Sequence, residues 1–173
     1  MKVVYEGKDL EAMSFSKKYH RWISDVFRPY LGKRIAEVGA GSGNFSTLLL
    51  TPQTEQLVCI EPSEQMHQRL VEKLSGDKRV TFRQELFADV YMQYVDYFES
   101  IVYVNVLEHI ENDADELRYI ACSLKSGGHV CIFVPALPWL YSDLDASVGH
   151  YRRYTKQHLE QLLKDAGFKI LRS

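Results

Sequence analysis

The segment that most constrains this chain is Glu37-Val38-Gly39-Ala40-Gly41-Ser42-Gly43-Asn44, which sets three glycines at alternate positions directly after the short apolar run 34–38. Glycine accepts positive φ and lets a ligand lie against bare backbone, so a glycine turn between a buried strand and a helix is a cradle for a phosphate or a nucleoside. Residues 44–50 read as that helix, stopped by Thr51-Pro52. A dinucleotide fingerprint wants its third glycine three residues after the second, and Asn44 stands there, which disfavours NAD and an NAD-dependent oxidoreductase. Glu61 follows the next apolar run about 20 residues on, where a carboxylate can accept both hydroxyls of a ribose. The two features favour a nucleoside ligand that needs no pyrophosphate.

The alternation of elements continues along the chain. Phe15, Tyr19, Trp22, Ile23, Val26, Phe27 and Tyr30 recur at one-face helical spacing, predicting an N-terminal helical cap within 1–32. Residues 57–60 predict a second strand, and Pro62-Ser63 open a helix with Met66, Leu70, Val71 and Leu74 on its apolar side. Strands are predicted at 79–83, 100–104 and 129–134, with a helix over 113–124 ended by Gly127-Gly128. After an aperiodic stretch at 135–154, Thr155 caps a helix carrying Leu159, Leu162 and Leu163, and Phe168 to Leu171 are expected to begin a sixth strand. Strands without polar alternation, separated by helices, imply an α/β fold: a doubly wound, mostly parallel sheet with helices on both faces, here with its C-terminal strands incomplete. Its ligand crevice lies beyond the carboxyl ends of the strands, so the residues after each strand carry the function.

Composition narrows the partners. One domain over 1–173 is expected, with 21 Lys+Arg against 23 Asp+Glu giving net −2, so no overall positive field draws in nucleic acid. No apolar run nears the ~20 residues that span a bilayer, and Met1 to Glu6 lack a signal-peptide core, so membrane insertion is not expected and a cytoplasmic location is. Cys59, Cys122 and Cys131 lie far apart inside apolar segments and read as core residues.

The acid-x-Gly-x-Gly-x-Gly loop, Glu61, Asn105-Val106-Leu107-Glu108-His109-Ile110 after the fourth strand, and Leu124-Lys125-Ser126-Gly127-Gly128 before the fifth together resemble class I S-adenosylmethionine-dependent methyltransferases. Tyr19-His20-Arg21-Trp22 and Gly149-His150-Tyr151-Arg152-Arg153-Tyr154 resemble, more narrowly, a bacterial branch found beside glycosyltransferases. The resemblance implies S-adenosyl-L-methionine as cofactor and S-adenosyl-L-homocysteine as product. It implies Gly39, Gly41, Gly43 and Asn44 as the loop under the methionine part and ribose, with Glu37 orienting the loop or the ammonium group, and Glu61 holding the ribose. Pro62 and Met66 would pack on the adenine opposite Leu86 and Phe87, Asn105 and Val106 would line the sulfonium end, and Tyr19 would close over the methionine moiety. The group reading the adenine amino function stays open among Glu85, Asp89 and backbone. Family domains continue through a sixth and a seventh strand, so an exposed sheet edge and a homodimer through it are expected.

The acceptor side is read from the residues themselves. Glu108-His109 has no second histidine at metal-ligand spacing, Asp143-x-Asp145 lacks the rest of a calcium loop, and no Gly-x-Ser-x-Gly elbow occurs, so neither a metal nor a hydrolase triad is expected. If the acceptor is a hydroxyl, a histidine suits removal of its proton, and His109 and His150 are the candidates, with His150 favoured because it lies in the 135–154 acceptor loop. Tyr141, Asp143, Asp145, Tyr151, Arg152, Arg153 and Tyr154 suit a small polar acceptor, sugar-containing or phosphorylated, which the arginines would grip. Against this stand plainer readings: Tyr19 and Trp22 as packing, Met66 as core, and Arg152-Arg153 as a solvated basic pair. O-methylation of such an acceptor is the expected activity, and non-catalytic binding of the same adenosyl ligands is its rival.

Overall fold

A computed structural model describes residues 17–173; Phe15 and the rest of 1–16 lie outside the described residues. The elements are α1 (Lys17–Phe27), β1 (Arg34–Val38), α2 (Ser46–Leu49), β2 (Gln56–Ile60), α3 (Glu64–Leu74), β3 (Val80–Arg83), α4 (Phe87–Val90), β4 (Phe98–Val104), α5 (Asp113–Ser123), β5 (Leu124–Phe133), α6 (Asp143–Ser147) and α7 (Lys156–Asp165). The five strands form one sheet in the order β3-β2-β1-β4-β5, and every ladder is parallel. The order reverses between β1 and β4, so the crevice of a doubly wound sheet opens at their carboxyl ends.

Each strand is apolar on both sides because helices cover both faces. In β2, Leu57 and Cys59 face α1, α2 and α3 through Ile23, Phe27, Leu49, Leu70 and Leu74. Val58 and Ile60 face the other way, against Phe87, Val90, Leu117 and Ile120 of α4 and α5. Ser63 caps α3 by accepting from the Met66 amide at 3.4 Å, and Thr155 caps α7 by accepting from His158 N at 3.1 Å.

Three expectations are corrected. The first helix after the glycine loop is a single turn at Ser46–Leu49, since the loop itself occupies residues up to Phe45. The glycines at 127 and 128 do not end α5; the helix stops at Ser123, and β5 runs through them with a register shift opposite Phe98 to Ser100, Gly127 taking φ 77°. No sixth strand forms at 168–171, because those residues pair with no strand; Phe168 packs on the core while Leu171 is exposed. No helix among the described residues is long and apolar enough to cross a membrane.

Candidate active site

The glycine loop is held by β2. Gly39 and Ala40 both donate to the Ile60 carbonyl, at 2.8 and 3.1 Å, and Gly39, Gly41 and Gly43 take φ of 69°, 54° and 77°. A side chain at Gly39 would place its Cβ 2.4 Å from Val106 Cγ2, so strain and lack of space both demand glycine there. Glu61 is 4% exposed and pins the loop: its Oε2 accepts from Gly41 N and its Oε1 from Ser63 N, each at 2.8 Å. Burial raises its pKa, and the two amides pull the other way. A carboxylate has about four acceptor sites, so two amides leave lone pairs for ribose hydroxyls.

Above the loop lies a cavity with Gly39 and Gly41 as floor, Glu37 and Asn105 as walls and His20 at the rim. Burial pushes the Glu37 carboxyl up to about 8, so it is largely protonated at neutral pH, with Cys59 Sγ 3.9 Å from its Oε2. Asn105 takes φ 54° in the left-handed region, donates its amide to Phe133 O at 2.8 Å, and reaches Tyr19 Oη with its side chain at 3.3 Å. The Tyr19 ring sits edge-on to Phe133, 5.6 Å between centroids, and Trp22 contacts the same ring while 55% exposed. Asn44 is tied to Ser42 and Lys73.

The adenine side is assembled less completely. Met66 is buried, Pro62 half-buried and Leu86 exposed beside the crevice. Phe87 is committed to the core, packed with Val90, Tyr94 and Ile101, so of the expected pair only Leu86 is available to a ligand. Glycine loop, Glu37, Glu61, Asn105, Val106 and Tyr19 are thus gathered; Phe87 is not. His20, whose imidazole is pushed toward neutrality by burial, is a rim residue that sequence reasoning passed over because it lies one position from the apolar stripe.

The 135–154 loop is built from side-chain pairs. Its ends meet where Tyr154 N donates to Pro135 O at 3.0 Å, and the buried Tyr154 hydroxyl donates to Asp113 Oδ2 at 2.8 Å. Asp145, 2% exposed, is its hub: it accepts Arg153 Nε at 2.7 Å and Nη2 at 3.0 Å, Ser142 N at 3.0 Å, and pairs with His150 Nδ1 at 2.9 Å. The Arg153 fork holds its carboxyl well below the usual range. Arg152 pairs with Asp113 at 2.6 Å and donates to Glu111 O. Arg153 is thus paired within the loop, while Arg152 ties the loop to Asp113 and the Glu111 carbonyl outside it.

Glu108 and His109, in the turn after β4, converge with His150. The two rings lie 4.6 Å apart edge-to-face, His109 Nδ1 is 3.2 Å from Gly149 O, and one potential ligand atom from each of the three residues lies within 4.8 Å of the others. The sequence offers no second histidine near Glu108-His109; the fold brings one from 41 positions further on.

A methyltransferase-domain family profile matches residues 13–173. No curated protein matches the sequence significantly. Among solved structures, an S-adenosylmethionine-dependent methyltransferase from Mesorhizobium loti superposes with TM-score 0.73 at 17% identity, covering 88% of this chain and 83% of that one. The (4+2)-cyclase SpnF gives 0.73 at 18% identity, covering 90% of this chain and 58% of its own. Phosphoethanolamine N-methyltransferase 2 of Haemonchus contortus, solved with phosphomonomethylethanolamine and S-adenosylhomocysteine, gives 0.73 at 20% identity, with 88% of this chain and 37% of that one covered. At such identities the likeness is one of fold, and the chain spans little more than half of the cyclase. Taken with the profile over nearly the whole length, the strand order and the glycine loop pinned by a buried acid, the chain belongs to the class I S-adenosylmethionine-dependent methyltransferase family, whose cofactor is S-adenosylmethionine.

Proposed function

We propose that this chain transfers the methyl group of S-adenosylmethionine to a hydroxyl of a small, polar, sugar-containing acceptor that enters over the 135–154 loop. The observation that supports the reading is the meeting of His109, in the turn that follows the cavity-lining Asn105, with His150, which Asp145 holds. Methyl transfer is an in-line displacement in which the cofactor supplies the reactive group, so the chain's share is to bind, orient and exclude water. Glu61 and the backbone of Gly39 and Gly41 hold the nucleoside, Asn105 and Tyr19 shape the methionine end, and Leu86 with Met66 flanks the base. As the acceptor oxygen attacks the methyl carbon, the carbon–sulfur bond breaks to release S-adenosylhomocysteine and the hydroxyl proton passes to water beside His109 and His150. The exposed Tyr141 and Tyr151 beside them offer flat faces of the kind a sugar ring packs on.

The test is calorimetric titration with S-adenosylmethionine, S-adenosylhomocysteine and NAD in parallel. Both adenosyl ligands bind and NAD does not, and Glu61→Gln weakens the adenosyl ligands by about 10- to 100-fold, the loss of one or two hydrogen bonds to a charged group. NAD binding in preference, or adenosyl affinity untouched by Glu61→Gln, overturns the reading.

A further inference from the structure

We propose that Glu108, His109 and His150 form a binding site for a divalent transition cation of the Zn2+ class, with open coordination positions facing the acceptor. The inference rests on the reading above for what those open positions serve, but not for the existence of the site.

Its first support is the donor set. Two imidazoles and one carboxylate, all within 4.8 Å, are the ligands of catalytic rather than structural zinc sites, which keep a position free for water or substrate. Ligand atoms around such an ion stand roughly 3–3.5 Å apart, so binding asks for a contraction of about one ångström, within reach of rotamer adjustment in two half-buried rings. Its second support is the layer behind the ligands. A metal-bound histidine characteristically gives its other ring nitrogen to a carboxylate or a backbone carbonyl, which sets tautomer and orientation. Both rings are placed this way: His150 Nδ1 is 2.9 Å from Asp145 Oδ1, and His109 Nδ1 is 3.2 Å from Gly149 O. With each Nδ1–H donated outward, each Nε2 becomes the ligand atom. Asp145 is fixed in turn by the Arg153 fork and by Ser142, so the His150 support is rigid before any ion arrives. The third support is backbone: Tyr151 N donates to Glu108 O at 2.8 Å and His150 N to Asp145 O at 2.9 Å, joining the 108–109 turn to the loop that brings the second histidine. The hard alkaline-earth ions fit poorly, since they prefer oxygen to imidazole.

The experiment is titration of the purified full chain with Co2+, followed by absorption in the d–d region, and with Zn2+ followed by calorimetry, both without cofactor. One equivalent binds, with Co2+ bands typical of mixed nitrogen and oxygen ligation and no thiolate charge-transfer band. His109→Ala and His150→Ala each weaken binding at least tenfold, and Asp145→Asn weakens it by about 10- to 100-fold through the lost support. Glu108→Gln, nearly isosteric in a fully buried position, guards against unfolding, as does S-adenosylhomocysteine binding in every variant. His129→Ala, in β5 opposite Ser100 and lining a different cavity with Tyr30 and Gly127, leaves affinity unchanged. Absence of a one-to-one complex, thiolate bands, or affinity indifferent to both histidine variants overturns the inference. If S-adenosylhomocysteine binds and Co2+ does not, the cation site alone falls; if Co2+ binds and S-adenosylhomocysteine does not, the cation site stands and the methyl-transfer reading falls.

Discussion

The glycine loop and the 135–154 loop are made of different material. Around Gly39, Gly41 and Gly43 the shape is set by main chain, with Ile60 O and the Glu61 carboxylate receiving loop amides. Around His150 it is set by side chains reaching one another, with Asp145 gathering Arg153, His150 and Ser142, and Asp113 gathering Arg152 and Tyr154. Backbone recognition tolerates change in most side chains but not in glycine, whereas a charged hub tolerates change nowhere within it and much around it. One side can be altered at most side chains without loss of shape, the other only around its hub.

The contrast is broken most forcibly at the hub. Asp145→Ala leaves Arg153 and His150 without their shared carboxylate and costs about 3 kcal/mol of local stability. Residues 137–153 then become open to limited proteolysis and fast amide exchange while S-adenosylhomocysteine affinity changes little; a global loss of the fold would erase the distinction between the two loops. Gly39→Ala is the mirror experiment: positive φ and a Cβ at 2.4 Å from Val106 cost roughly 2 kcal/mol, and adenosyl binding is lost while the 135–154 loop keeps its protection from proteolysis. The mildest effect is on pH. Glu37 titrates near 8 in the fold against about 4.5 when unfolded, so its stabilisation is complete below about pH 4.5 and is lost as pH rises through 8. The unfolding free energy of the ligand-free chain from urea melts therefore falls by about 2 kcal/mol between about pH 6 and about pH 8, and Glu37→Gln flattens the slope.

Legibility followed the same division. The loop, Glu61 and Asn105 stand at strand ends, and strand ends are readable from apolar runs, so short-range pattern located the residues around the glycine loop. The 135–154 loop depends on contacts such as His109 with His150 and Asp113 with Arg152, some forty residues apart, which no periodicity encodes. Arg152-Arg153 showed why: adjacent arginines look alike in sequence, yet each finds a different buried aspartate. Phe87 was misassigned for a related reason, since an aromatic after a strand serves the crevice or the core according to the face its helix presents, and here α4 turns it inward. The glycines at 127 and 128 are good helix terminators that the ladder with β4 absorbed as an irregularity.

The meeting of Pro135 and Tyr154 at the base of the 135–154 loop has an engineering consequence. A loop whose two ends are already hydrogen-bonded neighbours leaves the scaffold the same pair of attachment points whatever lies between them, and chain-closure entropy changes only slowly with its length. Of the positions between them, those outside the Asp145 hub and the Arg152–Asp113 pair can thus be exchanged, which makes this chain a receiver for grafted segments there without redesign of its sheet.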